Sequence, residues 1–330
     1  MQLFPSFEHF RDLAAHAGVV PVWREFLFDV DTAVTAYAKL AEPPFGFLLE
    51  SVVGGEQWAR YTFLGTRPRS AWRLQDGGVA VWTGSEGWTD VDTDDPLGDL
   101  DARLNAEQPA QVEGLPRFWG GAVGYFSYDI VREIEHLPDA PPDDLGLPDG
   151  LFVFTDIVLA IDNLKGRAMA IAAVPVHEDM DEESLRSAYD SAAERTAEMV
   201  RCLDRAASPS PLSLAPEPDE DPAFTSSTTR EDFEVGVERV REYIRAGDAF
   251  QVVLSQRLSV PLGSTPFDLY RGLRSLNPSP YLYFLELDGV CLVGSSPEVL
   301  VRVEDGTVTV RPIDRKSTRL NSSHSSVSRM

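Results

Sequence analysis

The first half of the chain contains short runs of apolar residues, many of them aromatic or β-branched, separated by polar residues, which is a pattern of β-strands. Runs at 45–52 and 60–64 combine aromatic and aliphatic residues, so both are predicted to be strands. Two further runs, 71–74 and 79–82, flank Asp76-Gly77, a dipeptide that favours a two-residue hairpin turn. The latter two runs therefore predict an antiparallel pair of neighbouring strands.

A second hairpin and a long helix are predicted further along. The apolar run 151–162 is separated from the run 168–176 by the turn sequence Asn163-Leu164-Lys165-Gly166, which predicts antiparallel pairing. A helix fits 181–205, because apolar side chains recur there at helical spacing. Its predicted buried face consists of Leu185, Tyr189, Ala192, Met199 and Leu203. Residues 1–206 are therefore interpreted as one N-terminal domain.

Residues 207–227 are predicted to be a linker, because proline and acidic residues are dense there. After this linker, Thr228-Thr229-Arg230-Glu231 has the spacing of a capping box. Gly247 stands where a helix C-cap is expected. The helix between these two signals has an apolar face formed by Phe233, Val237, Val240 and Ile244.

A strand is predicted at 250–255, and two hairpins follow that turn at Asp288-Gly289 and Asp305-Gly306. These elements predict a second domain over 228–313, built from a helix and antiparallel strands. Neither domain shows the strand–helix alternation of a doubly wound parallel sheet. The predicted fold class is therefore α+β, with antiparallel sheets flanked by helices.

The apolar patterning stops near Ile313. Residues 314–330 are rich in serine and basic residues and nearly free of apolar ones. Such a stretch cannot bury enough apolar surface to offset the entropy of ordering it. We predict that it is a disordered, non-native tail on a truncated protein, and that the second domain is incomplete.

Net charge narrows the classes of partner. The formal charge is −24, with 53 acidic against 29 basic residues, which argues against nucleic acid and anionic membranes. An anionic substrate would need local positive charge or a bound cation. The N-terminus has neither the basic start nor the long apolar run of a signal peptide, and no segment approaches a membrane-spanning length. With two cysteines that form no spaced motif, the expected location is the cytoplasm.

The widespread catalytic motifs are missing: the sequence has no P-loop, no His-Glu-x-x-His and no Gly-x-Ser-x-Gly. A glycine-rich segment over 119–124 lacks the Rossmann spacing and opens no clear helix. Glycines that allow close backbone packing or bulges explain this segment better than a phosphate cradle does. The five histidines are scattered without metal-ligand spacing.

Four segments together are specific. They are Phe47-Leu48-Leu49-Glu50-Ser51, then Phe118 to Asp129, then Ala246 to Arg257, and finally the stretch that joins Asn277-Pro278-Ser279-Pro280-Tyr281, Gly294-Ser295-Ser296-Pro297-Glu298 and Arg311-Pro312-Ile313. In this order they resemble anthranilate synthase component I, the chorismate-utilising subunit of tryptophan biosynthesis. The resemblance covers nearly all of residues 1–313.

The resemblance implies a site for the feedback inhibitor L-tryptophan between two domains. Glu50 and Ser51 would meet the amino-acid head group. The wall around the indole would consist of Asn277, Pro278, Ser279, Pro280, Tyr281 and Leu282. A zwitterion needs paired donors and acceptors, and an indole needs an apolar slot. The alternative interpretation is that 277–280 is only a stiff turn before a strand and that Glu50 is a satisfied acid at a strand end.

The resemblance also implies the reaction. Chorismate would take up ammonia, delivered by a glutaminase partner, component II, and would yield anthranilate and pyruvate. Magnesium held by glutamates would act as a Lewis acid. In the family Arg-Pro-Ile is followed by Ala-Gly-Thr, where this chain has Asp314, Arg315 and Lys316. No catalytic or metal-binding residue is therefore assigned, and we expect that the chain as written does not turn over chorismate.

Other functions stay open at this point. The same segments also resemble aminodeoxychorismate synthase component I, of the folate pathway. That family has a nucleophilic lysine at the position where this chain has Asp314. The chain could also be a non-catalytic module that binds tryptophan or the glutaminase. A half-built second domain could instead misfold, since it would leave an open sheet edge and an uncovered apolar face.

Overall fold

The computed structural model describes residues 1–51, 60–206, 209–213 and 223–310, and the backbone of 326–329. The chain forms two compact units. The first consists of Met1–Ser210 together with Leu269–Met330, and the second of Pro211–Asp268.

An eight-stranded sheet forms the centre of the first unit. All of its neighbouring strands are antiparallel, in the order β1-β2-β11-β10-β4-β3-β14-β15. Its strands are β1 (Leu3–Phe4), β2 (Val19–Leu27), β3 (Phe45–Glu50), β4 (Tyr61–Thr66), β10 (Ile157–Asp162), β11 (Arg167–Pro175), β14 (Tyr281–Leu287) and β15 (Val290–Ser296).

A five-stranded antiparallel sheet, in the order β7-β6-β5-β9-β8, packs on the first. Its strands are β5 (Ser70–Gln75), β6 (Gly78–Thr83), β7 (Gly87–Val91), β8 (Ala122–Phe126) and β9 (Gly150–Phe154). Asp76 and Gly77 join β5 to β6 with positive φ at both positions, so the predicted hairpin is confirmed. Phe45 and Leu285 of the larger sheet share one apolar cluster with Ala71 and Leu151 of the smaller one.

Helices of the first unit pack on these sheets. The helices of the described residues are α1 (Phe7–Ala14), α2 (Ala33–Leu40), α3 (Pro96–Asn105), α4 (Glu182–Leu203), α5 (Arg230–Ala246) and α6 (Pro266–Leu276), and a 3₁₀ turn spans Tyr128–Glu133. Phe10 of α1 and Ala192 of α4 pack against Val20 and Val174 of the larger sheet. Leu100 of α3 packs against Trp72 of the smaller sheet. This arrangement confirms the α+β fold class.

The run 151–162, predicted as one strand, is divided between the two sheets. Strand β9 ends at Phe154 and strand β10 begins at Ile157. Between them the Thr155 amide donates to the Gly121 carbonyl, and the Asp156 carbonyl accepts from Ala173. The change of sheet falls at Thr155 and Asp156, the two polar residues that interrupt the apolar run, and the prediction of one continuous strand passed over them.

Strand pairing also divides the chain differently from the prediction. The predicted second domain, 228–313, includes β14, but β14 is hydrogen bonded to β3 in the central sheet. Its side chains Leu282, Phe284, Leu285 and Leu287 are buried there, and this burial explains why the segment joins the first unit. Of the predicted linker 207–227, the structure describes 209–213 and 223–227.

The second unit contains α5 and the short pair β12 (Thr225–Ser226) and β13 (Leu258–Ser259). The Thr229 hydroxyl caps α5 by accepting from the Asp232 amide, one residue later than the predicted capping box, and Gly247 ends the helix in the left-handed conformation. The predicted apolar face is not buried, since no residue of α5 is buried. Residues 250–255 form no strand, so that prediction is wrong.

A separate antiparallel sheet contains β16 (Val301–Glu304), β17 (Thr307–Val310) and β18 (Ser326–Arg329). Positive φ at Asp288 and at Asp305 confirms both predicted hairpin turns. Within the predicted disordered tail, 314–330, the structure describes only the backbone of β18, which pairs with β17. The difference has a physical basis, because the outer edge of β17 offers unpaired backbone groups that another strand can satisfy.

Candidate functional site

Pairing of β3 with β14 joins the two predicted halves of the effector site. Leu282 lies directly opposite Glu50 in this antiparallel pair. Leu282 is fully buried, and Glu50 is also buried at the end of β3. Residues more than 200 positions apart are thereby brought side by side in the central sheet.

The Glu50 carboxylate is held by two side chains of α6. Arg274 donates from Nε to Oε2 at 2.8 Å and from Nη2 to Oε1 at 3.1 Å, which is a two-point contact of the strong, charge-assisted kind. Tyr270 donates its hydroxyl to Oε2. The Glu50 side chain is 4% exposed and that of Arg274 is 38% exposed. The buried charge of Glu50 is therefore paired with a cation that still reaches solvent.

Helix α6 presents these two partners because they are one turn apart. Residues at i and i+4 lie on the same helix face, and Tyr270 and Arg274 have this spacing. Pro266 opens the helix, where its missing N–H costs nothing, and the Thr265 hydroxyl accepts from the Asp268 amide. Sequence reasoning missed both residues. The spacing in Tyr270-Arg271-Gly272-Leu273-Arg274 places them on one helix face, but it does not identify Glu50 as their partner.

Burial and charge shift the pKa values of both partners. Burial, reinforced by the charge of Glu50, raises the pKa of the Tyr270 phenol far above its ordinary value. Burial lowers the pKa of Arg274, but its hydrogen bonds to Glu50 and the charge of that carboxylate outweigh burial, so the pKa is raised. Tyr270 therefore remains a neutral donor and Arg274 remains a cation at neutral pH.

The predicted wall, 277–282, is a bend between α6 and β14 that β15 holds in place. The Ser279 hydroxyl is buried and donates to the Ser296 carbonyl. The Ser295 hydroxyl donates to the Asn277 carbonyl at 2.8 Å. The Gly294-Ser295-Ser296 segment thus supports the bend, which is consistent with the stiff-turn interpretation and also gives the site a rigid wall.

The other predicted residues lie at the margin of this bend. The Tyr281 hydroxyl accepts from Arg302 Nη2 at 3.3 Å. Pro278 is exposed and Pro280 is partly buried. Ser51 follows Glu50, and its buried hydroxyl oxygen has no hydrogen-bond partner within the described part of the chain. A buried hydroxyl without a partner is costly, so Ser51 is a group that a ligand or water could satisfy.

The arrangement combines a carboxylate, a partly exposed guanidinium and an unsatisfied hydroxyl beside a rigid bend. These groups can bind a small molecule that carries both an ammonium and a carboxylate, since each charge finds an opposite charge. Over 1–51, 60–206, 209–213 and 223–310, no group of three or more His, Cys, Asp and Glu side chains is placed to hold a metal ion.

The glycine-rich segment serves packing, as predicted. A Cβ at Gly124 would lie 2.0 Å from the Leu151 carbonyl oxygen and 2.6 Å from the Phe152 Cα. Only glycine allows β8 and β9 to approach so closely. Trp119, which begins the segment, is buried against Ile171 and Ala173 of β11.

Comparisons with known proteins place this fold in context. A model of the family described as chorismate binding enzyme matches residues 60–319. The chain is similar to anthranilate synthase component 1 of Pseudomonas aeruginosa, with 45% identity over 310 residues, 93% of this chain and 62% of that protein. It is also similar to anthranilate synthase component 1 of Acetivibrio thermocellus, with 39% identity over 314 residues, 94% of this chain and 62% of that protein.

A solved structure has a similar fold. The crystal structure of anthranilate synthase component I from Streptococcus pneumoniae TIGR4 superimposes with a TM-score of 0.60 and 30% sequence identity, over 87% of this chain and 60% of that one. The chain therefore spans about three-fifths of the length of the proteins it matches. None of the helices in the described part of the chain combines the length and the apolar content needed to cross a bilayer.

Proposed function

This chain belongs to the family of chorismate binding enzymes, and we propose that it has the function of an anthranilate synthase component 1. In this reaction chorismate gains ammonia, loses its ring hydroxyl as water and eliminates pyruvate as the ring becomes aromatic. The names of relatives at 39% and 45% identity support the proposal.

The proposal includes a glutaminase partner that supplies ammonia and a magnesium ion that polarises a carboxylate of chorismate. No residue of this chain is assigned to either. We also propose a cytoplasmic location, which suits the free thiols of Cys202 and Cys291.

L-tryptophan is the proposed effector, bound at Glu50, Ser51 and the bend 277–282. The observation that carries this part is the register of β3 and β14, which sets Leu282 opposite Glu50. This pairing joins the proposed head-group residues to the proposed indole wall. Glu50 is also one of only a few buried charged side chains among the described residues, and buried carboxylates are rare unless they serve pairing or binding.

Isothermal titration of the 330-residue chain with L-tryptophan tests this proposal. We expect saturable binding by the wild type and loss of binding in Glu50→Gln. Glu25→Gln is the matched control, because Glu25 is also a strand glutamate paired with an arginine, Arg167, but lies on β2. Absence of binding by the wild type, or equal binding by both variants, would contradict the proposed site.

Turnover is proposed to be absent from the chain as it stands. Asp314, Arg315 and Lys316 occupy the positions where the resemblance implies Ala-Gly-Thr, and these positions lie outside the described residues. A bulky charged residue cannot take the place of a glycine that allows close backbone approach. With chorismate, ammonia and magnesium, we expect no anthranilate fluorescence above a protein-free control; clear production of anthranilate would disprove this part.

A further inference from the structure

Arg274 has no role in the predicted site, yet it makes the strongest contact of Glu50. Its guanidinium occupies both carboxylate oxygens, at 2.8 and 3.1 Å. Tyr270 shares one of these oxygens. In this structure the carboxylate that would receive the ammonium of an amino acid is therefore already occupied by a cation of the protein.

The two sides of this ion pair differ in exposure. Glu50 and Tyr270 are buried, whereas the Arg274 side chain is 38% exposed. Arginine has a long side chain whose charged end can move through solvent-accessible space while its stem stays in place. Glu50 at the end of a paired strand has no such freedom. Separation of the pair therefore requires Arg274 to move and Glu50 to stay.

An amino acid carries both charges that a separated pair would lack. Its ammonium can replace the guanidinium at Glu50, and its carboxylate can accept the two-point contact that Arg274 gives up. The Glu50 carboxylate and the Arg274 guanidinium each exchange one opposite charge for another, so the net charge of the site does not change. A ligand without the ammonium leaves the buried Glu50 carboxylate unpaired, which is strongly unfavourable. A ligand without the carboxylate gives up the charge-assisted two-point contact with Arg274.

We propose that a zwitterionic amino acid binds by inserting between Glu50 and Arg274, with Glu50 and Tyr270 holding its ammonium and Arg274 holding its carboxylate. The inference rests on the proposed effector site and adds the residue that recognises the carboxylate. It explains why α6 places an arginine with solvent access at this point. It also makes the ligand a selective one, because amines and acids alone cannot replace both partners.

Three indole compounds test the insertion: L-tryptophan, tryptamine, which lacks the carboxylate, and indole-3-propionate, which lacks the ammonium. In the wild-type chain we expect tryptophan to bind about 10- to 100-fold more tightly than either analogue, as expected for loss of a charge-assisted partner. In Arg274→Gln we expect the ratio of tryptophan to tryptamine affinity to fall to about 1. Isothermal titration of the full chain measures all of these affinities.

Two further variants separate the loss of the carboxylate contact from a general effect on α6. Arg274→Lys retains the charge without the planar fork and should give an intermediate ratio, even if Arg274→Gln lowers the melting temperature. Arg271→Gln is the matched control on α6, since Arg271 donates to the Ser210 carbonyl at 2.8 Å, and it should leave the ratio unchanged.

The outcomes separate the inference from the proposed function. Wild-type chain that fails to bind tryptophan overturns both. Tryptophan binding by the wild type with an unchanged tryptophan-to-tryptamine ratio in Arg274→Gln and Arg274→Lys overturns the inference alone. If Arg274→Gln binds both ligands more tightly by the same factor, Arg274 only competes for Glu50, and the assigned contact to the carboxylate is wrong.

Discussion

Strand β10 and helix α5 both have clear apolar patterns, but β10 is buried and α5 is not. All six residues of β10 are buried, including Asp162, while none of the 17 residues of α5 is buried. Neighbouring strands, a second sheet and helices cover β10, whereas α5 owes its form to local signals such as the Thr229 cap and Gly247. An apolar pattern thus predicts an element, and burial depends on a partner surface.

Hydrogen exchange gives the largest expected contrast. Amides of β10 and β11 should exchange only through global unfolding, which typically requires about 5–15 kcal/mol. Amides of α5 should exchange through local opening, several orders of magnitude faster. Helix α4, whose face packs on the central sheet, serves as the control for secondary structure and should resemble β10. Equal protection of α5 and α4, measured by mass spectrometry, would remove the contrast.

Truncation of an apolar side chain should destabilise the protein more in the central sheet than in α5. Leu48 of β3 is fully buried, so Leu48→Ala should lower the free energy of unfolding by about 2–5 kcal/mol. Ile244 of α5 is 41% exposed, and Ile244→Ala should cost less than about 1 kcal/mol, because little apolar area returns to water. Urea denaturation monitored by circular dichroism compares the two. A large loss from Ile244→Ala would show that the α5 face is covered in solution.

Removal of one buried hydroxyl should have a smaller effect. Tyr270→Phe takes a donor from the buried Glu50 carboxylate, and we expect a loss of about 1–3 kcal/mol in the free energy of unfolding. Tyr128, which is 87% exposed, provides the control, because Tyr128→Phe should be close to neutral. Similar melting temperatures for the two variants would mean that the Tyr270 contact contributes nothing.

The smallest effect is expected from a partly buried carboxylate, and it depends on pH. Asp99 accepts from Arg103 and from Trp72 Nε1, and the hydrogen bond from Arg103 lowers the pKa of Asp99 despite burial. Because the folded pKa is below the unfolded value of about 3.9, the stabilisation is present above that pH and is lost as pH falls through the folded pKa. Asp99→Asn should therefore cost about 1 kcal/mol at pH 7 and progressively less below pH ~4.

The control for Asp99 is an exposed ion pair on α5. Arg230 and Glu234 are 85% and 63% exposed, and such pairs contribute little because solvent screens them. Glu234→Gln should leave the melting temperature unchanged from pH 7 to pH 3. A pH-dependent loss as large as that of Asp99→Asn would contradict the assignment of α5 to an uncovered surface.

Local elements were predictable from the sequence. Asp76-Gly77 set a hairpin turn, Asn163 to Gly166 set another between β10 and β11, and Gly247 ended α5 as expected. These features depend on neighbours in the chain, since turns and caps satisfy backbone groups within a few residues. The split of 151–162 between two sheets was missed. The polar pair Thr155-Asp156 interrupts the apolar run, but nothing in the local pattern shows that β9 pairs with β5 while β10 pairs with β4.

The candidate site also contains some residues that were predictable from the sequence and others that were not. Glu50 and Leu282 were predicted through a resemblance, and strand pairing brings them together. Tyr270 and Arg274 were not predicted, because an aromatic and a basic residue one turn apart occur on many exposed helices. Their role depends on contacts with Glu50, which is 224 positions away from Arg274 in the sequence. Nothing in the local pattern of α6 specifies those contacts.

The pairing of β3 with β14 has a consequence for synthesis on the ribosome. β3 emerges early, but β14, its neighbour on one side in the central sheet, follows more than 200 residues later. At about 5–20 residues per second, that edge of β3 waits roughly 10 to 50 s with open backbone groups. During that interval the nascent chain presents an unpaired strand edge that can pair with other chains. Chaperone capture of the emerging chain should therefore be greatest before β14 leaves the exit tunnel.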